Sequence, residues 1–350
     1  MLAKKIIACL ESDMPFIIWS DPGQGKTTTS HRVAKHLGWH CHVEIASLHE
    51  PTDYSGVQFV LDGKVMVDEP ALIRELNKHE KVFLFLDELP TSQRATQNVL
   101  LRLIHERKVG EYTLHPGVRI GAAGNFVDVA GNILLSTALA NRFVHMFHKP
   151  TIQEWIDADS ESDNLGFQFN PNWRDDIPEY RSAVFSFVES YPEYFSTVPS
   201  EIEKAEDYAY CSPRSLSTVA KILALCQNDH DLGRQLCMGT IGAEPTQKLM
   251  NFIRSKEKIV PFKNIDLSKF TFPEDPSQVM VILKSAALYS NEKQYGQKAI
   301  QLFNMAYDKG YRPLAMKYAK MLAKGLSSHT MPTEIVKALP FIVDTLKHKR

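Results

Sequence analysis

The chain has few cysteines, and none is arranged for a cross-link. Five occur in 350 residues, Cys9, Cys41, Cys211, Cys226 and Cys237, an odd number without a Cys-x-x-Cys pair. That pattern excludes a disulfide framework or a zinc ribbon and leaves reduced thiols. Long hydrophobic runs are also missing. The longest, such as Val82–Leu86, are too short to span a bilayer. Met1–Asp13 carries Lys4 and Lys5 and a short apolar run that stops at Glu11, without the core of a secretion signal. The expected location is the cytoplasm, with no membrane partner. Neither sign of charge dominates: 40 basic residues face 41 acidic ones, for a net charge of -1. A global electrostatic case for nucleic acid is therefore absent. What is present is an ordinary globular composition, 44% hydrophobic and 23% charged, enough for about two domains at roughly 150 residues each.

The pattern along the chain changes near Lys149. Before it, strands and helices alternate. Leu2–Leu10 reads as a short leading helix, and Phe16–Trp19 as a buried parallel strand. Thr27–Leu37 reads as a helix closed by Gly38, and His42–Ile45 as a second strand. Asp62-Gly63 inside Gln58–Val67 signals a hairpin. Glu69–Leu76 and Gln93–Glu106 read as helices, with a buried strand, Val82–Leu86, between them. Lys108–Ile120 looks like a hairpin feeding a strand that ends at Asn125. A short helix, Leu134–Asn141, and a strand, Val144–Phe147, follow. This alternation predicts a three-layer α/β domain with a mostly parallel sheet over residues 1–150. Residues 151–350 read as an all-helical lid domain with a helical extension. It begins with a polar stretch up to Pro178, followed by helical patterns at 183–190, 215–227, 246–253, 278–289, 297–309 and 314–324.

The chemistry is concentrated in the first domain. Ser20-Asp21-Pro22-Gly23-Gln24-Gly25-Lys26-Thr27 links the first strand to the first helix. It matches the phosphate-binding Walker A loop except that Ser20 replaces the first glycine. Gly23 and Gly25 let the backbone curl so that N–H groups face phosphate oxygens, and the helix N-terminus adds positive dipole. Residues 21–28, through Thr28, are the expected ATP cradle. Lys26 reaches the β- and γ-phosphates, and Thr27 offers a hydroxyl to Mg²⁺. The strand Val82–Leu86 ends in Asp87-Glu88, a Walker B pattern. Asp87 would hold Mg²⁺ and Glu88 would deprotonate the attacking water. Asn125 should project beyond a strand's carboxyl end, within reach of that water. Arg142, after a short helix, can neutralise charge on the transferring phosphoryl group. Arg214, in Ser212-Pro-Arg-Ser215, stands at the first turn of a lid helix, a poor place for a cation unless an anion is near.

These elements, in this order, resemble the AAA+ superfamily and, more narrowly, its MoxR branch. The resemblance also rests on Pro51-Thr-Asp-Tyr-Ser-Gly56 before a hairpin, on Phe85-Leu-Asp-Glu-Leu89, on Glu106–Ala123 before Gly124-Asn125, on Ser136–Phe143, and on the Ser-Pro-Arg-Ser segment. It extends over about 6–253. The departures are Ser20 and the polar stretch 157–178. The resemblance implies a ring, usually a hexamer, with ATP between subunits. It implies that Arg142 acts on the neighbour's ATP and that Arg214 senses γ-phosphate, in cis or in trans. It also implies chaperone-like remodelling of a protein client, commonly with a von Willebrand factor A partner.

Two rivals remain. A nucleic-acid motor of the same fold would place its hairpins in a ring pore. Gln58–Val67 offers only Lys64, however, and Arg107–Arg119 only Arg107, Lys108 and Arg119, few cations for counterion release. A nucleotide-gated scaffold with negligible hydrolysis would not need Glu88 and Asn125. His31, His36, His40 and His42 crowd around Cys41, but Gly38 breaks their helix and no second ligand pair is evident, so no metal site is expected there.

Overall fold

The computed structural model describes residues 2–109, 112–126, 135–152, 154, 169–254, 260–330, 335, 338 and 339. The acidic stretch Asp157–Asn164 and the tail Lys347–Arg350 lie outside them. The chain divides into two compact units, Met1–Pro171 with Phe195–Thr246, and Asn172–Tyr194 with Gln247–Arg350. The sheet is thus grouped with residues 195–246, whereas sequence character alone changes near Lys149.

The first unit opens with α1 (Leu2–Glu11), β1 (Phe16–Ser20), α2 (Lys26–Leu37) and β2 (His40–Ile45). A single turn, Ala46–Leu48, leads to α3 (Pro51–Ser55), the hairpin β3 (Gln58–Leu61) and β4 (Lys64–Val67), and α4 (Ala71–Leu76). Then come β5 (Val82–Asp87), α5 (Arg94–Glu106), the ribbon β6 (Lys108–Val109) and β7 (Tyr112–Thr113), β8 (Val118–Asn125), α6 (Thr137–Ala140) and β9 (Val144–Phe147). Five strands form a parallel sheet in the order β2-β5-β8-β1-β9, as the alternation predicts. All of β1 and the apolar part of β5 are buried, which is why both read as unbroken apolar runs. Leu100, Leu103 and Ile104 of α5 pack in the same core as Ile17, Trp19, Leu84 and Ile120. All five thiols are free. Among the described residues no helix is long and apolar enough to cross a membrane.

Further helices are α7 (Trp173–Ser190), α8 (Pro213–Leu225), α9 (His230–Ile241), α10 (Ala243–Arg254), α11 (Pro276–Tyr289), α12 (Lys293–Asp308) and α13 (Arg312–Leu326). Two differ from the sequence expectation. Helix α7 starts well before Ala183 and contains Pro178, while Asp175 and Asp176 in its first turn favour its positive end. Helix α9 has no expected counterpart, because Gly233 and Gly239 interrupt its apolar pattern. Gly239 is small for a reason: a Cβ there would stand 1.8 Å from the carbonyl oxygen of His145, so α9 presses directly on the backbone of β9. In the second unit, buried Lys284 of α11 lies 3.0 Å from the Glu189 carboxylate, which also accepts from the Tyr318 hydroxyl at 2.8 Å. An unpaired buried ammonium costs several kcal/mol, so this network locks α7, α11 and α13 together.

One buried side chain joins β1 to β9. His145 is 2% exposed. Its Nδ1 accepts from the Trp19 indole at 2.9 Å, so Nε2 carries the proton and meets the Ala140 carbonyl at 3.0 Å. The ring also stacks on Trp19 and Tyr208. Burial pushes the imidazole down to about 4, against the raising effect of the Ala140 bond. An unfolded histidine binds its proton near 6.5, so as pH falls below that value the unfolded state gains protons first. His145 therefore adds stability that is complete above pH 6.5 and lost by pH 4, about 3 kcal/mol in all. Denaturant titrations across that window should show this loss in the wild type in excess of the loss in His145→Gln. Parallel curves would show that the imidazole does not control it.

Candidate nucleotide site

The loop between β1 and α2 has the backbone that phosphate binding requires. Gly23 and Gly25 both have φ of +76°, a region closed to most side chains. Gly25 caps α2, and no side chain caps that end of the helix, so the first-turn N–H groups face the loop. Pro22, Gly23 and Gly25 are exposed, as are Asp21 and Thr28, while Gln24, Lys26 and Thr27 are half-buried.

Strand register assembles the rest. Ser20 pairs with Asn125 across β1 and β8, and Ile45 with Asp87 across β2 and β5. Lys26 Nζ therefore donates to Asn125 Oδ1 at 2.9 Å and to Ser20 Oγ at 3.0 Å. Ser20, the departure from the usual first glycine, is fully buried and serves as an anchor for the lysine. Burial pushes the Lys26 ammonium down from its ordinary pKa, against the attraction of Asp87, Asp21 and Glu88. Thr27 Oγ1 donates to Asp87 Oδ2 at 2.8 Å. A hydroxyl and a carboxylate oxygen side by side are hard donors that fit Mg²⁺, and the loop's amides with Lys26 fit a polyphosphate.

Glu88 is exposed and sits at φ +54°, in the left-handed region unusual for a non-glycine residue. That turn lifts its carboxylate off the end of β5. Ser47, just past β2, donates to Glu88 Oε2 at 2.8 Å. Sequence reasoning missed Ser47. Its signal is register alone, since Ile45 lies opposite Asp87.

Arg142 and Arg214 are not brought to this cluster. Arg142 lies in the turn before β9, with Nε buried and without a hydrogen-bond partner. Asn141 accepts from Ser212, the N-cap of α8, at 2.9 Å, and the Tyr210 hydroxyl donates to the Thr137 carbonyl at 3.2 Å. These bonds bring Arg142 and Arg214, the second residue of α8, onto one cavity of about 160 Å³. Asp13, Met14 and Pro15, which lead into β1, line it as well. The cavity thus opens at the amino ends of the parallel strands and the loop at their carboxyl ends. A five-residue strand spans roughly 16 Å. Burial lowers the Arg142 pKa, and the like charge of Arg214 pushes the same way.

Residues 15–143 match the family model of the AAA domain (dynein-related subfamily). A crystal structure described as a "putative ATPase" from Cytophaga hutchinsonii is similar with a TM-score of 0.50 at 15% identity, covering 72% of this chain and 88% of that one. The likeness is one of fold. A full-length MCM homolog from Methanopyrus kandleri gives a TM-score of 0.39 at 14% identity, covering 72% of this chain and 53% of that one. No curated protein matches the sequence.

The bond from Ser47 occupies one oxygen of Glu88 and turns it toward β2. Hydrogen bonds to a charged group contribute about 1.5–3 kcal/mol. Ser47→Ala should therefore raise ATP turnover by about tenfold or more without changing nucleotide affinity. Steady-state kinetics with calorimetry would check this, and unchanged or lower turnover would remove Ser47 from control of Glu88.

Proposed function

We propose, from the match of residues 15–143 to the AAA domain (dynein-related subfamily), that this chain hydrolyses ATP within a ring of like subunits and remodels a protein partner. Residues 21–28 would hold the phosphates, and Thr27 with Asp87 would hold Mg²⁺. Bound there, the ion would supply neutralisation of phosphate charge. Asn125 orients a water and Glu88 takes its proton as the water oxygen bonds to the γ-phosphorus. The bond from that phosphorus to the β–γ bridging oxygen breaks, leaving ADP and phosphate.

The position of the arginines supports a ring. Arg142 and Arg214 share a cavity at the far edge of the sheet from their own loop. Two cations at the positive end of a helix repel each other unless an anion sits between them. The γ-phosphate of a neighbour's ATP meets that need. Both arginines then act in trans, and the hexamer usual for MoxR-like ATPases follows.

The observation that carries the choice of client is the β3–β4 hairpin. It exposes Val57, Phe59, Val60, Leu61, Val65 and Met66, with Val60 71% and Val65 67% accessible. Exposed apolar groups this dense mark a protein-binding surface. Its one cation is Lys64. Near the β6–β7 ribbon, Arg107 and Arg119 are folded onto the backbone and Asp13: Arg119 donates to the Leu10 carbonyl at 3.1 Å and the Pro116 carbonyl at 2.7 Å, and Arg107 to the Val118 carbonyl. Too few cations are left to hold a phosphate backbone.

Two experiments test this reading. A Lys26→Ala subunit lacks a usable site but keeps Arg142, and an Arg142→Ala subunit has the reverse defect. Each alone should hydrolyse ATP slowly, with the arginine worth on the order of 10³ or more in rate. Mixed with an excess of Lys26→Ala, the Arg142→Ala subunits should regain activity. No rescue at any ratio, with assembly confirmed by light scattering, would place Arg142 in cis. The second experiment adds unfolded casein or DNA to the wild type. Casein should stimulate turnover and DNA should not, and Val60→Asp should lose the casein effect while keeping basal turnover. Stimulation by DNA alone would overturn the protein-client reading.

A further inference from the structure

The fold gathers three side chains that the sequence leaves far apart. His40 opens β2, the edge strand of the sheet. Glu75 lies near the end of α4 and His79 in the turn after it. One ligand atom from each of the three lies within 4.8 Å of the other two. The imidazoles of His40 and His79 stack, with centroids 3.7 Å apart and planes 10° from parallel. Sequence spacing hides this arrangement, because it offers His36 as the partner of His40 and Gly38 removes that option.

These two rings differ from their neighbours. His42 and His49 are committed to Glu44, at 2.9 and 2.7 Å. Among the described residues the rings of His40 and His79 make no hydrogen bond, and His79 Nε2 lies 3.9 Å from Glu75 Oε1. Two cations do not stack face to face at this distance. Burial, then the nearness of His79 and His42, holds the His40 pKa below its ordinary value. The carboxylate is also oriented. Lys78 takes Glu75 Oε2 at 2.6 Å, so Oε1 is the oxygen turned to His79.

Two imidazoles and one carboxylate are the donor set of borderline dications, those of zinc, cobalt, nickel and copper, not of Mg²⁺ or Ca²⁺. We propose that His40, Glu75 and His79 bind one such dication, leave its fourth position open to solvent, and thereby tie β2 to the chain that follows α4. The open position follows from exposure, since the side chains of Glu75 and His79 are each 38% accessible. Tetrahedral ligands about 2.1 Å from a metal stand roughly 3.4 Å apart, so the three close by about an ångström. The rings must also unstack, because a metal lies in the plane of each imidazole that binds it. Rotation about the Cβ–Cγ bonds, which is a broad torsion, provides this. The consequence is mechanical. Helix α4 is the next element after the β3–β4 hairpin, so the ion fixes the segment into which the hairpin returns.

The probe is Co²⁺ alone, added to tag-free protein without nucleotide in excess Mg²⁺, which occupies hydroxyl and carboxylate sites. The expected result is one equivalent of Co²⁺ per chain, a visible ligand-field band and a higher melting temperature, displaced by one equivalent of Zn²⁺. His40→Ala, His79→Ala and Glu75→Gln should each weaken Co²⁺ by tenfold or more, and His36→Ala, on the exposed face of α2, should not. Circular dichroism would confirm that the variants fold. Glu75→Gln changes one surface oxygen to an amide nitrogen, so it provides a reading even if a histidine variant does not fold. No stoichiometric binding to the wild type overturns the proposal. So does equal affinity in the wild type and Glu75→Gln, or equal weakening by His36→Ala, which would mean diffuse surface binding.

Discussion

The parallel register of β8 between β5 and β1 determines where each polar side chain at the nucleotide end arrives. With Ser20 opposite Asn125 and Leu86 opposite Ala122, the strands end nearly in line. Lys26 then reaches Asn125, and Thr27 reaches Asp87 across the intervening strand. A slip of one residue in β8 or β5 would turn Asn125 or Asp87 to the opposite face of the sheet. Packing fixes the register: Ile17, Trp19, Leu84, Leu86, Ile120 and Ala122 are all buried in the same core. The loop chemistry thus depends on apolar contacts that touch no phosphate.

The sheet also separates two chemistries. Its carboxyl edge holds Lys26, Asn125, Asp87, Glu88 and the hydroxyls of Ser20, Thr27 and Ser47. Its amino edge holds Arg142 and Arg214. His145 connects them physically: its two ring nitrogens bond to Trp19, one residue before Ser20, and to Ala140, two residues before Arg142. Under the proposed function this gives a subunit a short covalent and hydrogen-bonded route between the ATP it holds and the ATP it helps a neighbour to cleave. A route is not a coupling energy, and only paired substitutions measure one.

Much of this was legible in the sequence. The P-loop, the Asp87-Glu88 strand end, Asn125 and the first-domain alternation all announce themselves by short-range pattern, because a buried parallel strand must be apolar throughout and a phosphate loop must be rich in glycine. What was not legible depends on contacts between distant segments. Helix α9 is hidden by two glycines whose reason is tertiary: Gly233 lies against Cys226, and Gly239 packs on β9. Ser47 looks like any loop serine until register sets it beside Glu88. His40 lacks a visible partner because Glu75 and His79 lie beyond a hairpin. Helix α7 is masked by Pro178, whose helix-breaking tendency is overcome by burial of Trp173, Val184 and Phe187.

The second unit is built from two separated lengths of chain, 172–194 and 247 onward. During synthesis, α7 leaves the ribosome about fifty residues ahead of the helices that bury it. Lys284 and Tyr318, the partners of Glu189, come later still. The first unit has all its residues once Thr246 has emerged. For as long as it takes to translate α11 through α13, α7 therefore waits with its apolar face uncovered, a period in which non-local closure is slow and aggregation is the competing outcome. A stalled or truncated message would release a chain with a finished nucleotide-binding unit and an unsatisfied helix, and such a product would be a natural substrate for quality control.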